Sequence, residues 1–145
     1  MKKTIIIFLT IFIIIIVIAI GYYIRIKNAG LEISEFNLEY EQYTENAIYG
    51  TDLTTVINNA VNNNEQNSVE KDEEGYYIQN DTNSVIIEIK IIDLEEDTIY
   101  KMETFYNGGM DQFVQYYGEI LFQAESVEYN SAGKISYILF EQISA

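Results

Sequence analysis

The chain has 145 residues, 23 acidic and 8 basic, for a net charge of −15, and it contains no His, Cys, Trp or Pro. The missing His and Cys exclude Ser-His-Asp triads, Cys nucleophiles, zinc sites and any disulfide framework. Every acidic residue lies at or beyond Glu32, so residues 28–145 hold four basic residues against 23 acidic ones, a net charge of −19. That sign argues against nucleic acid, whose phosphates need clustered Lys and Arg. It would repel anionic lipid, attract basic partners or divalent cations, and at the least keep the domain soluble.

Residues 4–24 form an uninterrupted run of 21 uncharged residues dominated by Ile, Phe, Leu and Val. At 1.5 Å rise per residue it reaches about 32 Å, close to the hydrocarbon thickness of a bilayer. Tyr22 and Tyr23 stand at its far end, where aromatic rings favour the headgroup level. Residues 1–27 therefore read as a transmembrane anchor with basic flanks, in contact with the lipid bilayer through residues 4–24. A cleaved signal peptide is the competing reading, since Lys2 and Lys3 make an n-region and Ala19-Ile20-Gly21 is a weak small-x-small site; the apolar run is longer than an ordinary signal core. A hydrophobic helix leading into a mixed head is also the plan of pilins, but the processing Gly and the early Glu of a pilin leader are missing. Lys2, Lys3 and the terminal amine against Arg25 and Lys27 give a small bias toward a cytoplasmic N-terminus, with the C-terminal domain outside.

About 118 residues remain after residue 27, enough for one domain and too few for two. Residues 26–43 continue the helix: Ile26, Ala29, Ile33, Phe36, Tyr40 and Tyr43 recur every three or four positions in one apolar stripe. A short strand at residues 36–40 is the runner-up. Residues 45–50 read as a loop. Gly50-Thr51-Asp52 opens a second helix, capped by Thr51 or Asp52, with Leu53, Val56, Ile57, Ala60 and Val61 on one face and Asn62-Asn63-Asn64 as its stop. Residues 65–74 are a polar connector. Tyr76-Tyr77-Ile78, the turn-rich Asn80-Asp81-Thr82-Asn83 and a strand at residues 85–92 predict a hairpin, with Glu88 and Lys90 on its polar face. Residues 93–97 form an acidic turn.

Residues 102–117 match a helical stripe through Met102, Phe105, Tyr106, Gly109, Met110, Phe113 and Tyr117. Gly108-Gly109 would cost such a helix about 1 kcal/mol per Gly, and a strand over residues 98–106 before a shorter helix is the alternative. Gly118 is the expected stop. Strands at residues 120–129 and 135–143 flank a turn at Asn130-Ser131-Ala132-Gly133-Lys134. The predicted fold is α+β: the N-terminal transmembrane helix extends into a small domain of order helix-helix-hairpin-helix-hairpin, an antiparallel sheet covered by helices.

Ser131-Ala132-Gly133-Lys134 fits S-x-x-K, a Ser nucleophile activated by Lys, yet it lies in a turn and lacks S-D-N and K-T-G partners. Carboxylate pairs suited to glycoside hydrolysis are uninformative among 23 acids, and no Trp is present to stack on sugar. Asp81-Thr82-Asn83 and Asp93-Leu94-Glu95-Glu96-Asp97 place oxygen ligands in turns without the spacing of a calcium loop. Tyr22, Tyr23, Tyr40, Tyr43, Tyr106, Tyr116 and Tyr117 offer either an adhesive face or ordinary core and interface packing. Asn80-Asp81-Thr82 matches a glycosylation sequon, a three-residue pattern that carries nothing by itself.

Phe36-Asn37, Tyr43 followed by Gly50-Thr51-Asp52-Leu53-Thr54-Thr55-Val56-Ile57-Asn58-Asn59, and Phe140-Glu141-Gln142-Ile143 resemble a group of short, uncharacterised membrane-anchored proteins of low-GC Gram-positive bacteria (Firmicutes). The resemblance covers most of residues 36–143. Glu45 departs from it, standing where a Gly is expected two residues after Tyr43. It implies a bacterial source and a single-pass topology, in keeping with the AT-rich look of the Ile and Asn usage, and carries no activity, cofactor or site.

These features predict a non-enzymatic domain, residues 28–145, tethered to the cell membrane outside the cytoplasm and binding a protein or cell-envelope partner. No catalytic, cofactor or metal site is expected, and the oligomeric state is open. The alternative is a structural subunit of a pilus-like or secretion-type assembly, packed through an interaction stripe of Ile33, Phe36, Tyr40 and Tyr43.

Overall fold

The computed structural model describes residues 2–92 and 97–143; the acidic turn expected at residues 93–97 falls largely outside them. Contacts divide the chain into two compact units, 1–35 and 36–145. The first helix, α1 (Lys2–Glu41), is 40 residues long. It is long and apolar enough to cross a membrane. Within its apolar stretch the Thr10 hydroxyl donates to the Ile6 carbonyl at 2.9 Å, so this polar side chain is satisfied inside its own helix. The last turn tightens, with the Tyr43 N–H bonded to the Tyr40 carbonyl and the Thr44 N–H to that of Glu41, both at 2.9 Å.

The second unit is an α+β domain. Its remaining elements are β1 (Ile48–Tyr49), α2 (Gly50–Gln66), β2 (Ile86–Ile91), β3 (Thr98–Lys101), α3 (Met102–Gly108), α4 (Met110–Tyr117), β4 (Leu121–Tyr129) and β5 (Ile135–Gln142). The five strands form one sheet in the order β1-β4-β5-β2-β3. Both expected hairpins have a counterpart, but the first is β2–β3, from Glu88↔Lys101 to Ile91↔Thr98. Tyr76-Tyr77-Ile78 keeps only an isolated bridge, Lys71↔Tyr77, because both sides of β2 are already paired, by β3 and by β5. The sheet is also mixed, not wholly antiparallel. β2 and β5 run parallel at its centre, Ile86 opposite Tyr137 and Lys90 opposite Glu141. The expected loop at residues 45–50 contains β1, paired with β4 through Ile48↔Phe122.

α2 starts where expected but is capped differently. Neither Thr51 nor Asp52 serves; Tyr49 is the N-cap and makes no side-chain cap bond. The free N–H groups of Gly50 and Thr51 instead reach the Ile120 and Gly118 carbonyls at 2.9 and 3.2 Å. A Cβ at Gly50 would strike the Tyr117 carbonyl, so only Gly permits this approach. The Asn62-Asn63-Asn64 run does not stop the helix, which continues to Gln66. It ends in a Schellman motif: the Ser68 N–H meets the Glu65 carbonyl at 3.1 Å, the Val69 N–H the Asn64 carbonyl at 2.9 Å, and Ser68 is left-handed at φ 53.

Asn64 is fully buried and pairs with one residue's backbone, donating to the Val85 carbonyl at 2.7 Å and accepting the Val85 N–H at 2.8 Å. Asn37, at the end of α1, does the same for β5: it donates to the Gly133 carbonyl at 2.8 Å and accepts the Ile135 N–H at 3.0 Å. The two parallel strands are thus each gripped at their starting end by a helical asparagine.

The single helix expected over residues 102–117 is two helices broken at Gly109, whose φ of 100 is open to Gly alone among ordinary residues. In a straight helix Phe105 and Phe113 would stand about 12 Å apart along the axis; the break brings their rings to 4.7 Å, edge on. Tyr117 and Phe122 extend the cluster at 5.3 and 6.3 Å from Phe113. The strand of the alternative reading is present but ends at Lys101. Gly118 caps α4 as expected, in the right-handed region.

Asn64→Ala leaves a buried N–H and C=O of Val85 unpaired and is expected to cost about 2–4 kcal/mol in urea unfolding. Ser68→Gly, relieving the left-handed strain, is expected to add about 0.5–1 kcal/mol. Equal and small effects of the two would contradict these roles.

Candidate functional site

Alternation along the strands gives the sheet two unlike faces. Ile87, Ile89, Phe122, Ile138 and Phe140 are buried on one, the side where α2 and α3 pack. The other sets Ile86, Glu88 and Lys90 of β2 opposite Tyr137, Leu139 and Glu141 of β5, with Gln123 and Glu128 of β4 beyond them. Apart from the buried Ile86, these side chains are half-buried or exposed. The Lys90 ammonium donates to Glu141 Oε1 at 2.7 Å, straight across the parallel pair, and lies 3.6 Å from Asp97; the Glu141 bond raises the Lys90 pKa. The Tyr137 hydroxyl donates to Glu88 Oε2 at 2.8 Å. Burial, then that bond and the charges of Glu88, Glu128 and Glu125, push the Tyr137 pKa well up, so it remains a neutral donor.

Beside Glu88 the chain folds a small loop. Asp72 Oδ1 accepts the N–H groups of Glu74 and Tyr76 at 3.0 and 2.9 Å, and Gly75 turns the chain at φ 88. This loop, β2, β5 and the first turn of α3 line an open cavity of about 290 Å³ whose walls include Tyr77, Ile78, Ile86, Glu88, Glu103 and Tyr137. Glu103 is only 3% exposed. Its Oε1 accepts the Tyr77 N–H at 2.7 Å, while Oε2 is buried without a hydrogen-bond partner. Lys101 is turned to the loop, 3.8 Å from Asp72 Oδ2 and 4.5 Å from the Tyr76 ring centre; Lys71 lies 4.3 Å over the Tyr77 ring.

The residues singled out in the sequence are dispersed. Of the stripe Ile33, Phe36, Tyr40 and Tyr43, Tyr40 is 1% exposed and Phe36 and Tyr43 pack partly buried against the same core; Ile33 belongs to the N-terminal unit. Among the tyrosines, Tyr22 and Tyr23 are exposed on the apolar helix, Tyr106 and Tyr116 are exposed on α3 and α4, and Tyr117 joins the aromatic cluster. Ser131 and Lys134 do not form a nucleophile pair: the Ser131 amide bonds to Asp81 Oδ1 at 2.8 Å, and the Lys134 ammonium lies 5.1 Å over Phe36. Asn80 Oδ1 accepts three backbone N–H groups, from Thr82, Asn83 and Ser84. Among the described residues no three His, Cys, Asp or Glu side chains are placed to hold a metal ion. Glu103 went unnoticed in the sequence, since a Glu in the first turn of a helix ordinarily faces water and favours the dipole. Glu88 was legible as the polar face of its strand.

No protein-family model, curated protein or solved structure matches this chain.

Hydrogen bonds from the Ser131 hydroxyl and amide hold the Asp81 carboxyl below its ordinary range. Between the two pKa values the folded state binds fewer protons than the unfolded state. The stabilisation is therefore complete above the unfolded value of about 3.9 and is lost as pH falls through the folded one. Asp81→Asn is expected to flatten the stability-versus-pH curve below about pH 4; an unchanged acid limb would contradict the docking of the two turns through Asp81.

Proposed function

We propose that the chain is a single-pass, membrane-tethered, non-enzymatic protein whose acidic C-terminal domain lies outside the cytoplasm and binds a basic protein or cell-envelope partner. The observation that carries this reading is the half-exposed sheet face crowded with Glu88, Glu128 and Glu141, on a domain that follows a helix long and apolar enough to cross a membrane. A net charge of −19 beyond residue 27 accelerates encounter with a cationic surface and makes binding sensitive to salt. Packing of Phe36, Tyr40 and Tyr43 against the domain's own core favours this binder over the assembly subunit, which would need that stripe for its neighbours.

Because the native chain has no Cys, a single Ala132→Cys substitution in the exposed turn gives an unambiguous topology probe. The full chain is expected in the carbonate-resistant membrane fraction, with the introduced thiol labelled by an impermeant maleimide in intact cells. Labelling only after lysis would overturn the sidedness, and release by carbonate would overturn the tether.

A further inference from the structure

The Glu103 cavity has a chemistry of its own, distinct from the general acidity of the sheet face. Glu103 Oε2 is buried and has no hydrogen-bond partner. A carboxylate oxygen removed from water carries a desolvation cost that a donor must offset. Lys101, the basic residue lining the cavity, is turned to Asp72 and the Tyr76 ring. Glu88, on the same wall, accepts the Tyr137 hydroxyl through one oxygen, Oε2. The remaining lining is Ile78, Gln79, Ile86 and the Tyr77 and Tyr137 side chains, and the Tyr77 hydroxyl, like Glu103 Oε2, is buried without a hydrogen-bond partner. The lining therefore pairs an apolar and aromatic wall with carboxylates. A volume of about 290 Å³ accommodates one long side chain. An alkyl stem would lie along Ile78 and Ile86, and a cationic tip would meet Glu103 and Glu88, close to aromatic faces that favour a cation.

Resting on the binding role proposed above, we infer that this cavity receives a lysine side chain of the partner, its ammonium donating to Glu103 Oε2 and to Glu88. The cavity sets which residue is recognised; the surrounding acidic face supplies attraction without discrimination.

The test uses the full chain in a non-ionic detergent micelle. A short neutral-capped peptide carrying one lysine is titrated by isothermal calorimetry and amide chemical shifts, beside the same peptide with norleucine and beside free cadaverine. The lysine peptide is expected to bind, shifting the Tyr77 and Glu103 amides, and the norleucine peptide is not. Glu103→Gln, which keeps an acceptor for the Tyr77 N–H, is expected to weaken binding at least about tenfold. Glu88→Gln is expected to weaken it less, and Glu141→Gln, outside the cavity, to leave it within about twofold. Equal loss in Glu103→Gln and Glu141→Gln would show that bulk charge alone acts: the cavity assignment would fall and the acidic binder would stand. No binding by lysine or norleucine peptide would overturn the inference. Tighter binding of cadaverine than of the lysine peptide would move the site from a protein partner to a free diamine and overturn the assignment to a partner side chain.

Discussion

Two buried asparagines hold the domain's organisation. Asn64 of α2 and Asn37 of α1 each present an amide to the backbone where a central strand begins, at Val85 for β2 and at Gly133 and Ile135 for β5. An Asn side chain carries a donor and an acceptor in the spacing of a peptide group, so it can stand in for a neighbouring strand where none exists. The need is physical. Backbone groups buried at the end of a parallel pair must find partners, and the parallel pair is the seam that joins the two hairpins. Fixing both starts sets the register that brings Lys90 across from Glu141 and Tyr137 beside Glu88.

From that register follow the two faces. The side occupied by Ile87, Ile89, Ile138 and Phe140 takes up the helices, and the other remains polar and acidic. The Gly109 break serves the covered side by folding α3 and α4 around one aromatic cluster. The same path seats Met102 and Glu103 inward at the start of α3, both buried. The cavity is a consequence of packing in this sense: the backbone turn that buries Met102 also carries the next residue, a carboxylate, out of water.

The parts legible in the sequence are those fixed locally. The apolar run, the stripe through Tyr43, the face of α2 from Leu53 to Val61 and the β4–β5 hairpin all declare themselves through spacing or turn chemistry. The parallel pairing of β2 with β5 joins residues about fifty positions apart and leaves no local trace. Asn64 read as a helix stop because Asn favours helix ends, whereas its burial depends on Val85 arriving from elsewhere. The stripe over residues 102–117 named five residues that do pack with the core, Met102, Phe105, Met110, Phe113 and Tyr117, but attached them to the wrong backbone, and Tyr106 and Gly109 of the same stripe are exposed. Glu103 carried no signal: its environment is made by Tyr77, which was expected to lie in a hairpin strand.

Native-state amide hydrogen exchange tests the asparagine clamps most directly. The Val85 and Ile135 N–H groups lie at strand starts and are bonded to side chains, not to a ladder partner. If the clamps organise the sheet, these two amides exchange only through global unfolding, at the rate of the central β2 and β5 amides. Exchange as fast as the Thr82 and Ala132 turn amides would show that the strand starts fray independently, and would contradict the account.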